Sequence, residues 1–186
     1  PVITTTTALT NNPTPDIAGT AEAASTVTLF SGDTSLGTAT ADVDGNFSIT
    51  PTLADSDYVL TVTATDEAGN ESAASAGLDL VIDTTAPAQP VITTKSSDLD
   101  RRDNTPTISG TAEVGSTVNL FVNGQLPEPT AISTVTDSNG VFTFDFSNTP
   151  ITDDSYVITV TATDEAGNES AASAGLDLVI DTTAPA

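Results

Sequence analysis

Asp42, Asp44 and Asp66 stand in Asp-, Gly- and Asn-rich stretches of the first half of the sequence, with Glu22 in "TAEAAS", and Glu113, Asp137, Asn139 and Asp164 stand in the matching stretches of the second. Carboxylates gathered at one point repel unless a cation joins them. An all-oxygen donor set suits a hard ion: Ca2+ accepts about six to eight oxygens in flexible geometry, whereas Mg2+ demands a tight octahedron and keeps its water. Each residue taken singly has a plainer use. Asp42 and Asp137 can shape a tight turn, Asp66 can cap one, and Glu22 and Glu113 can simply be solvated. "DVDGN" at 42–46 is no EF-hand, since it lacks the third early ligand and the distant Glu. Paired carboxylates also hydrolyse glycosides. Here they lie on polar rims, duplicated along the chain, with only Tyr58 and Tyr156 as an aromatic platform, so no enzyme is expected.

The rest of the composition narrows the chemistry. Cys and His are absent, which removes zinc sites, thiolate nucleophiles, imidazole bases and disulfides together. Lys and Arg total 3 against 26 Asp and Glu, for a net charge of −23. Nucleic-acid binding depends on basic counter-charge, so that partner is excluded. The three cations, Lys95, Arg101 and Arg102, share one polar stretch that reads as a solvated loop. No apolar run is long enough to cross a bilayer, so this segment inserts in no membrane.

Two copies of one unit must position these residues. Residues 61–88 and 159–186 are identical, and Pro1-Val2-Ile3-Thr4-Thr5 returns as Pro90-Val91-Ile92-Thr93-Thr94. The offset grows from 89 to 98 residues along the pair, so copy two carries insertions, one of them in the polar run 124–129. The domains expected are 1–86 and 87–186, joined by a linker at 83–90, with 181–186 opening a further linker in a longer array. In copy one, strands are expected near 1–7, 14–20, 25–31, 36–41, 46–50, 57–66 and 75–83. They are short, rich in Val, Ile, Thr and Phe, and spaced by turn residues at roughly ten-residue intervals, which predicts an all-β antiparallel sandwich. Tyr58, Leu60, Val62 and Ala64 alternate with Val59, Thr61, Thr63 and Thr65, giving a half-buried strand with a threonine-rich outer face. "DVDGN" and "DSNGV" carry the dipeptides that close tight hairpins, and Tyr58 and Tyr156 stand where a tyrosine corner would.

If successive strands reverse, the loops after strands two, four and six return to one end of a module. That end collects Glu22, Asp42, Asp44 and Asp66 in copy one and Glu113, Asp137, Asn139 and Asp164 in copy two. Asp83 leaves the seventh strand toward the second set, and Asp181 leaves toward a following module. A calcium site at the junction is the expectation, with one geometric weakness: Asp83 lies seven residues before Pro90, up to about 23 Å of extended chain. Asp55, Asp57, Asp153 and Asp154, with Asp98 and Asp100, fall at the opposite end. There they either complete a junction from the other side, hold a second ion or shape ordinary turns.

"PTISGTAEVGSTVNLFVNG", "DSNGVFTF", "YVITVTATDEAGNES" and "LDLVIDTTAPA" together resemble the bacterial Ig-like repeats of giant biofilm-associated and type I-secreted surface adhesins, over both copies. The resemblance implies two tandem seven-stranded Ig-like sandwiches end to end in an extracellular stalk on the bacterial surface, stiffened by Ca2+ between adjacent repeats and supporting adhesion and biofilm formation. Pro87 and Pro90 make the linker semi-rigid even without metal. The alternative is that the modules themselves bind a ligand, a host or abiotic surface, or each other, through the outward rows Thr61/Thr63/Thr65 and Thr159/Thr161/Thr163. Intramolecular isopeptide stapling is closed to copy one, which has no Lys.

Overall fold

The computed structural model describes residues 1–123, 125 and 132–185. The expected insertion at 124–129 therefore lies outside the described residues except for Gln125. The chain divides into two compact units, Pro1–Thr85 and Ala86–Ala186, each with its own hydrophobic core.

In the first unit, β1 (Val2–Ile3), β3 (Ile17–Thr20) and β6 (Asn46–Ile49) form one sheet in the order β1-β3-β6. The second sheet runs β2-β8-β7-β4-β5, built from β2 (Leu9–Thr10), β4 (Thr26–Ser31), β5 (Thr34–Thr40), β7 (Ser56–Thr65) and β8 (Leu78–Ile82). Inward residues of the two sheets interdigitate to make the core. Along β7, Leu60 and Val62 are fully buried while Val59, just before them, is 57% exposed, the two-residue period that the sequence shows. Each such aliphatic side chain, once buried, contributes roughly 1.5–3 kcal/mol.

The strand expected at 1–7 is cut short at Val2–Ile3, and an unexpected strand follows it in the other sheet. Val2–Ile3 pairs antiparallel with β3 (Val2 with Thr20, Ile3 with Gly19). The Thr5 hydroxyl then accepts the Ala18 N–H at 2.8 Å in place of a backbone carbonyl. Beyond that point the chain crosses over, and Leu9–Thr10 pairs in parallel with β8. The first unit therefore has eight strands where seven were expected. "DVDGN" closes no hairpin either, because β5 and β6 belong to different sheets. The turn carries the chain across the sandwich.

The second unit repeats the plan with β9 (Val91–Ile92), β10 (Thr107–Thr111) and β13 (Val141–Asp145) in one sheet, and β11 (Thr117–Val122), β12 (Ile132–Val135), β14 (Asp154–Thr163) and β15 (Leu176–Ile180) in the other. Where the first unit has β2, the second has a 3-10 turn at Ser96–Asp98. Arg101 supplies the carbonyl that accepts the Asp181 N–H at 2.7 Å. Lys95, Arg101 and Arg102 are exposed, and Arg102 is paired with Asp100 at 2.7 Å. Tyr58 donates to the Ala54 carbonyl and Tyr156 to the Thr152 carbonyl, each at 3.0 Å, as tyrosine corners.

The strand expected at 75–83 begins only at Leu78, for a reason that lies in its serines. Before Leu78 the chain gains one residue for every two of β7, and hydroxyls fill the gaps: Ser75 Oγ accepts the Val62 N–H at 3.1 Å and Ser72 Oγ accepts the Ala64 N–H at 3.0 Å. Ser173 and Ser170 do the same for Val160 and Ala162. Both of these serines are buried. Ser173→Ala leaves the Val160 N–H without a partner inside the sheet, so we expect the second unit to lose about 1–3 kcal/mol, read as a lowered denaturant midpoint. Ser173→Thr, which keeps the hydroxyl, loses less.

Candidate functional site

The acidic loops are copies of one small device. Asp42-Val-Asp-Gly-Asn46, Asp66-Glu-Ala-Gly-Asn70, Asp137-Ser-Asn-Gly-Val141 and Asp164-Glu-Ala-Gly-Asn168 all fold as the same five-residue turn. In each, the N–H of the fifth residue donates to Oδ1 of the Asp, at 2.8, 2.8, 2.9 and 2.8 Å in that order. The N–H of the Gly donates to the carbonyl of that Asp, at 3.0, 3.1, 2.9 and 3.3 Å. The Asp N–H donates across the mouth of the turn to the carbonyl of the fifth residue, at 2.8 to 3.1 Å. The glycines take φ of +82°, +91°, +73° and +95°, a region costly to any residue with a Cβ.

The electrostatics follow from these bonds. The backbone N–H of Asn46 holds the Asp42 carboxyl below its ordinary value, and the Val141 N–H does so for Asp137. For Asp66 the Asn70 side-chain amide leads, through a 2.8 Å bond from Nδ2 to Oδ2. Asp164 feels partial burial, which pushes it up, but the Asn168 amide and the backbone N–H groups outweigh that and hold it down. A carboxyl depressed by native bonds stabilises the fold above the unfolded value of about 3.9, and that contribution is lost as pH falls through the lower folded value. Asp66→Asn presents a neutral amide in place of the titrating group. The native chain should therefore lose its advantage over Asp66→Asn as pH falls from about 5 through the lowered folded value, read as converging denaturant midpoints.

The remaining expected ligands are placed as follows. Glu22 and Glu113 are exposed, and it is their backbone carbonyls that work, accepting the Ser25 and Ser116 hydroxyls at 2.6 and 2.7 Å. Asp44 and Asn139 are exposed and donate backbone N–H groups to Asp42 and Asp137. Asp83 Oδ1 accepts the Thr85 N–H at 3.0 Å, and Asp181 Oδ1 accepts the Thr183 N–H at 3.2 Å. Among the described residues, no group of three or more acidic side chains comes together closely enough to hold a metal ion. The expected ligands of one unit thus do not form a ready-made calcium cage. The carboxyls of Asp42, Asp66, Asp137 and Asp164 accept N–H groups of their own loops.

Sequence reasoning undervalued two residues at the other end. Asp55 Oδ1 accepts the Thr84 hydroxyl at 2.7 Å and the Thr84 N–H at 3.1 Å, and Oδ2 accepts the Thr85 hydroxyl at 2.9 Å. Asp153 repeats this with the Thr182 and Thr183 hydroxyls, each at 2.8 Å. The Thr84 hydroxyl bond is the main cause that lowers the Asp55 carboxyl, and the Thr182 bond plays that part for Asp153. The signal was present: Asp and the first Thr of "DTT" stand 29 residues apart in both copies, although the copies have drifted elsewhere. Asp57 and Asp154 are exposed at the start of β7 and β14, and Asp98 lies in the 3-10 turn.

One solved structure shares this architecture, and a second matches it more loosely. The fibronectin(III)-like modules of Clostridium thermocellum CbhA match with a TM-score of 0.60 at 17% identity, over 96% of this chain and 93% of theirs. The tetra-tandem repeat from the extending region of a large adhesion protein matches with a TM-score of 0.42 at 20% identity, over 98% of this chain and 49% of that one. A search of curated proteins finds no match. The bacterial Ig-like domain family matches residues 3–84 and again 92–182, nearly the whole sequence, and the chain belongs to that family as two tandem repeats.

Proposed function

We propose that these repeats are spacer modules of a bacterial surface adhesin, holding an adhesive region away from the cell and so supporting attachment and biofilm formation. The observation that supports this most is the self-sufficiency of each repeat, which has its own core and spends its loop carboxylates on its own turns. Ig-like and fibronectin-III-like families are in general binding or structural modules, and a module that is complete by itself can be multiplied without redesign. No helix of the described residues is long and apolar enough to cross a membrane. Adjacent repeats of the same chain are the proposed partners, in an extracellular setting.

Calcium stiffening is the finer part of the proposal, and its support is charge. A chain at −23 with 3 cations repels itself, and each repeat added to an array adds more of the same sign, so the array takes up counter-cations. With a dissociation constant of roughly 0.1–1 mM, as in extracellular calcium modules, millimolar Ca2+ stabilises a site by about 0.4–1.4 kcal/mol. Small-angle scattering of the two-repeat chain in Ca2+ and then in chelator tests it. A maximum dimension and melting temperature that ignore the ion, in the native chain and in the Glu113→Ala, Asp137→Ala, Asp164→Ala triple variant alike, remove calcium from the account while leaving the spacer.

A second reading, direct binding of a surface, draws on the outer face of β4, β5 and β7. Thr26 pairs with Thr40 and Thr65, and Thr28 with Thr38 and Thr63, an uncharged patch on an otherwise acidic protein. Binding of the two-repeat chain to cells or glycans, lost on Thr28→Glu, would favour it.

A further inference from the structure

We infer that Asp55 and Asp153 are clasps that fix the direction in which the chain leaves each repeat, so that its first two exit residues are held by protein groups and an ion acts only beyond them. The inference rests on the spacer reading, for which exit direction is the property that matters.

The segment after β8 has no sheet to hold it. Asp83 is the last residue whose N–H finds a strand-end carbonyl, that of Thr10 at 3.1 Å. Thr84 and Thr85 are exposed, and an exposed segment beyond a final strand frays by default. Here one carboxylate on the turn before β7 receives three donors from these two residues, the hydroxyls of both and the N–H of Thr84. A fourth bond, from the Thr85 N–H to Asp83 Oδ1, closes the loop on itself. Two oxygens engaged by two successive residues define a direction, which a single bond does not. Charge assistance strengthens each contact over that of a neutral acceptor.

Three features separate this from an ordinary turn. The partners lie 29 and 30 residues apart, so the contact ties the exit to the body of the repeat. It recurs in the second repeat with the same atoms and nearly the same lengths, even though "LADSDY" has become "ITDDSY". It also uses threonine at both donor positions, where β-branching limits χ1 and lets the hydroxyls stay aimed at small entropic cost. No cation competes for the carboxylate from within the first repeat, since residues 1–85 contain neither Lys nor Arg. The titratable groups on the elements that meet there are Asp55, Asp57 and Tyr58, Asp79 on β8, and Asp83.

The test is backbone 15N relaxation on the two-repeat chain, native, Asp55→Asn, and Thr84→Val with Thr85→Val, each measured in Ca2+ and in chelator. In the native chain, order parameters at Thr84 and Thr85 should match those of β8, about 0.85, in both conditions, and in either variant they should fall below about 0.6 while amides of the β7–β8 pair keep their shifts. Native-like order at 84–85 in both variants overturns the clasp. So does loss of order that spreads through the whole repeat, because the carboxylate would then be part of the fold and not of the exit. Loss of order in the native chain on chelation overturns it as well, by giving the role to an ion. The spacer reading stands or falls separately, on whether arrays of these repeats stay extended in scattering.

Discussion

Phe142→Ala is expected to cost the second repeat about 3–5 kcal/mol, the range for an aromatic removed from a closed core. Phe142 is 1% exposed and is the bulkiest of the fully buried side chains. Its ring meets Phe144 at a centroid distance of 5.7 Å in a tilted arrangement, a geometry that adds to simple burial. It also covers Gly110, its direct partner across the β10–β13 pair, which has no side chain to offer to the space left behind. A domain of this size holds on the order of 5–15 kcal/mol in all, and each kcal/mol shifts its melting point by about 4–8 °C. A fall of about 12–40 °C should follow for the second repeat. Hydrogen exchange resolved by peptide is the measurement, with protection lost across β10, β11 and β13 and retained in β3, β4 and β7. An equal loss in both repeats would show that the two cores are not separate stability units.

Much of this core was legible before any coordinates. The alternation in "YVLTVTAT" separates Leu60 and Val62 from Val59, and the structure buries the first two completely. Tyr58 and Tyr156 bond as corners because their place at the start of a long strand leaves the phenol one carbonyl within reach. Pairing between sheets was less legible. "DVDGN" has the composition of a hairpin turn, yet composition cannot say whether the two flanking strands share a sheet, and they do not. The early end of the first strand was hidden for a related reason: the Thr5 hydroxyl that ends its pairing is one threonine in a run of four.

The loops that carry the candidate site were legible in a different way. The five-residue Asp-x-x-Gly turn was in the sequence four times, and its regularity was the clue that each Asp serves its own loop. A ligand shared among loops needs no fixed spacing within any of them, whereas an Asp that accepts the N–H four residues on needs that spacing every time. Asp55 and Asp153 were undervalued because their partners lie 29 residues away. Only the return of β8 beside β7 brings them together.

Gly110→Ala should cost about 3 kcal/mol, against the usual sign for such a change. Where the backbone conformation suits any residue, Gly→Ala stabilises by about 0.4–1 kcal/mol through the unfolded chain, and Gly110 lies outside the positive-φ region. Its need for glycine is spatial. A Cβ there would lie 2.2 Å from Phe142 Cζ and 2.3 Å from the Val91 carbonyl oxygen. The ring can shift at some expense, but the carbonyl belongs to β9, whose register with β10 is set by Gly110 with Ile92 and Thr111 with Val91. Overpacking of this kind falls at the upper end of the usual 1–3 kcal/mol because one of the two obstacles is backbone. Gly19→Ala repeats the experiment in the first repeat, with Phe47 and the Val2 carbonyl at 2.4 and 2.2 Å. Gly175→Ala serves as the control, since its one close neighbour is a methyl of Val157 at 2.9 Å and that side chain is 43% exposed, free to turn away. If denaturant midpoints fall for Gly110→Ala and Gly19→Ala but hold for Gly175→Ala, the ring-over-glycine pair is the contact that docks the first strand of each repeat onto its sandwich. Adding Phe142→Leu to Gly110→Ala should then recover only the part of the loss that the ring caused, leaving the carbonyl's share in place.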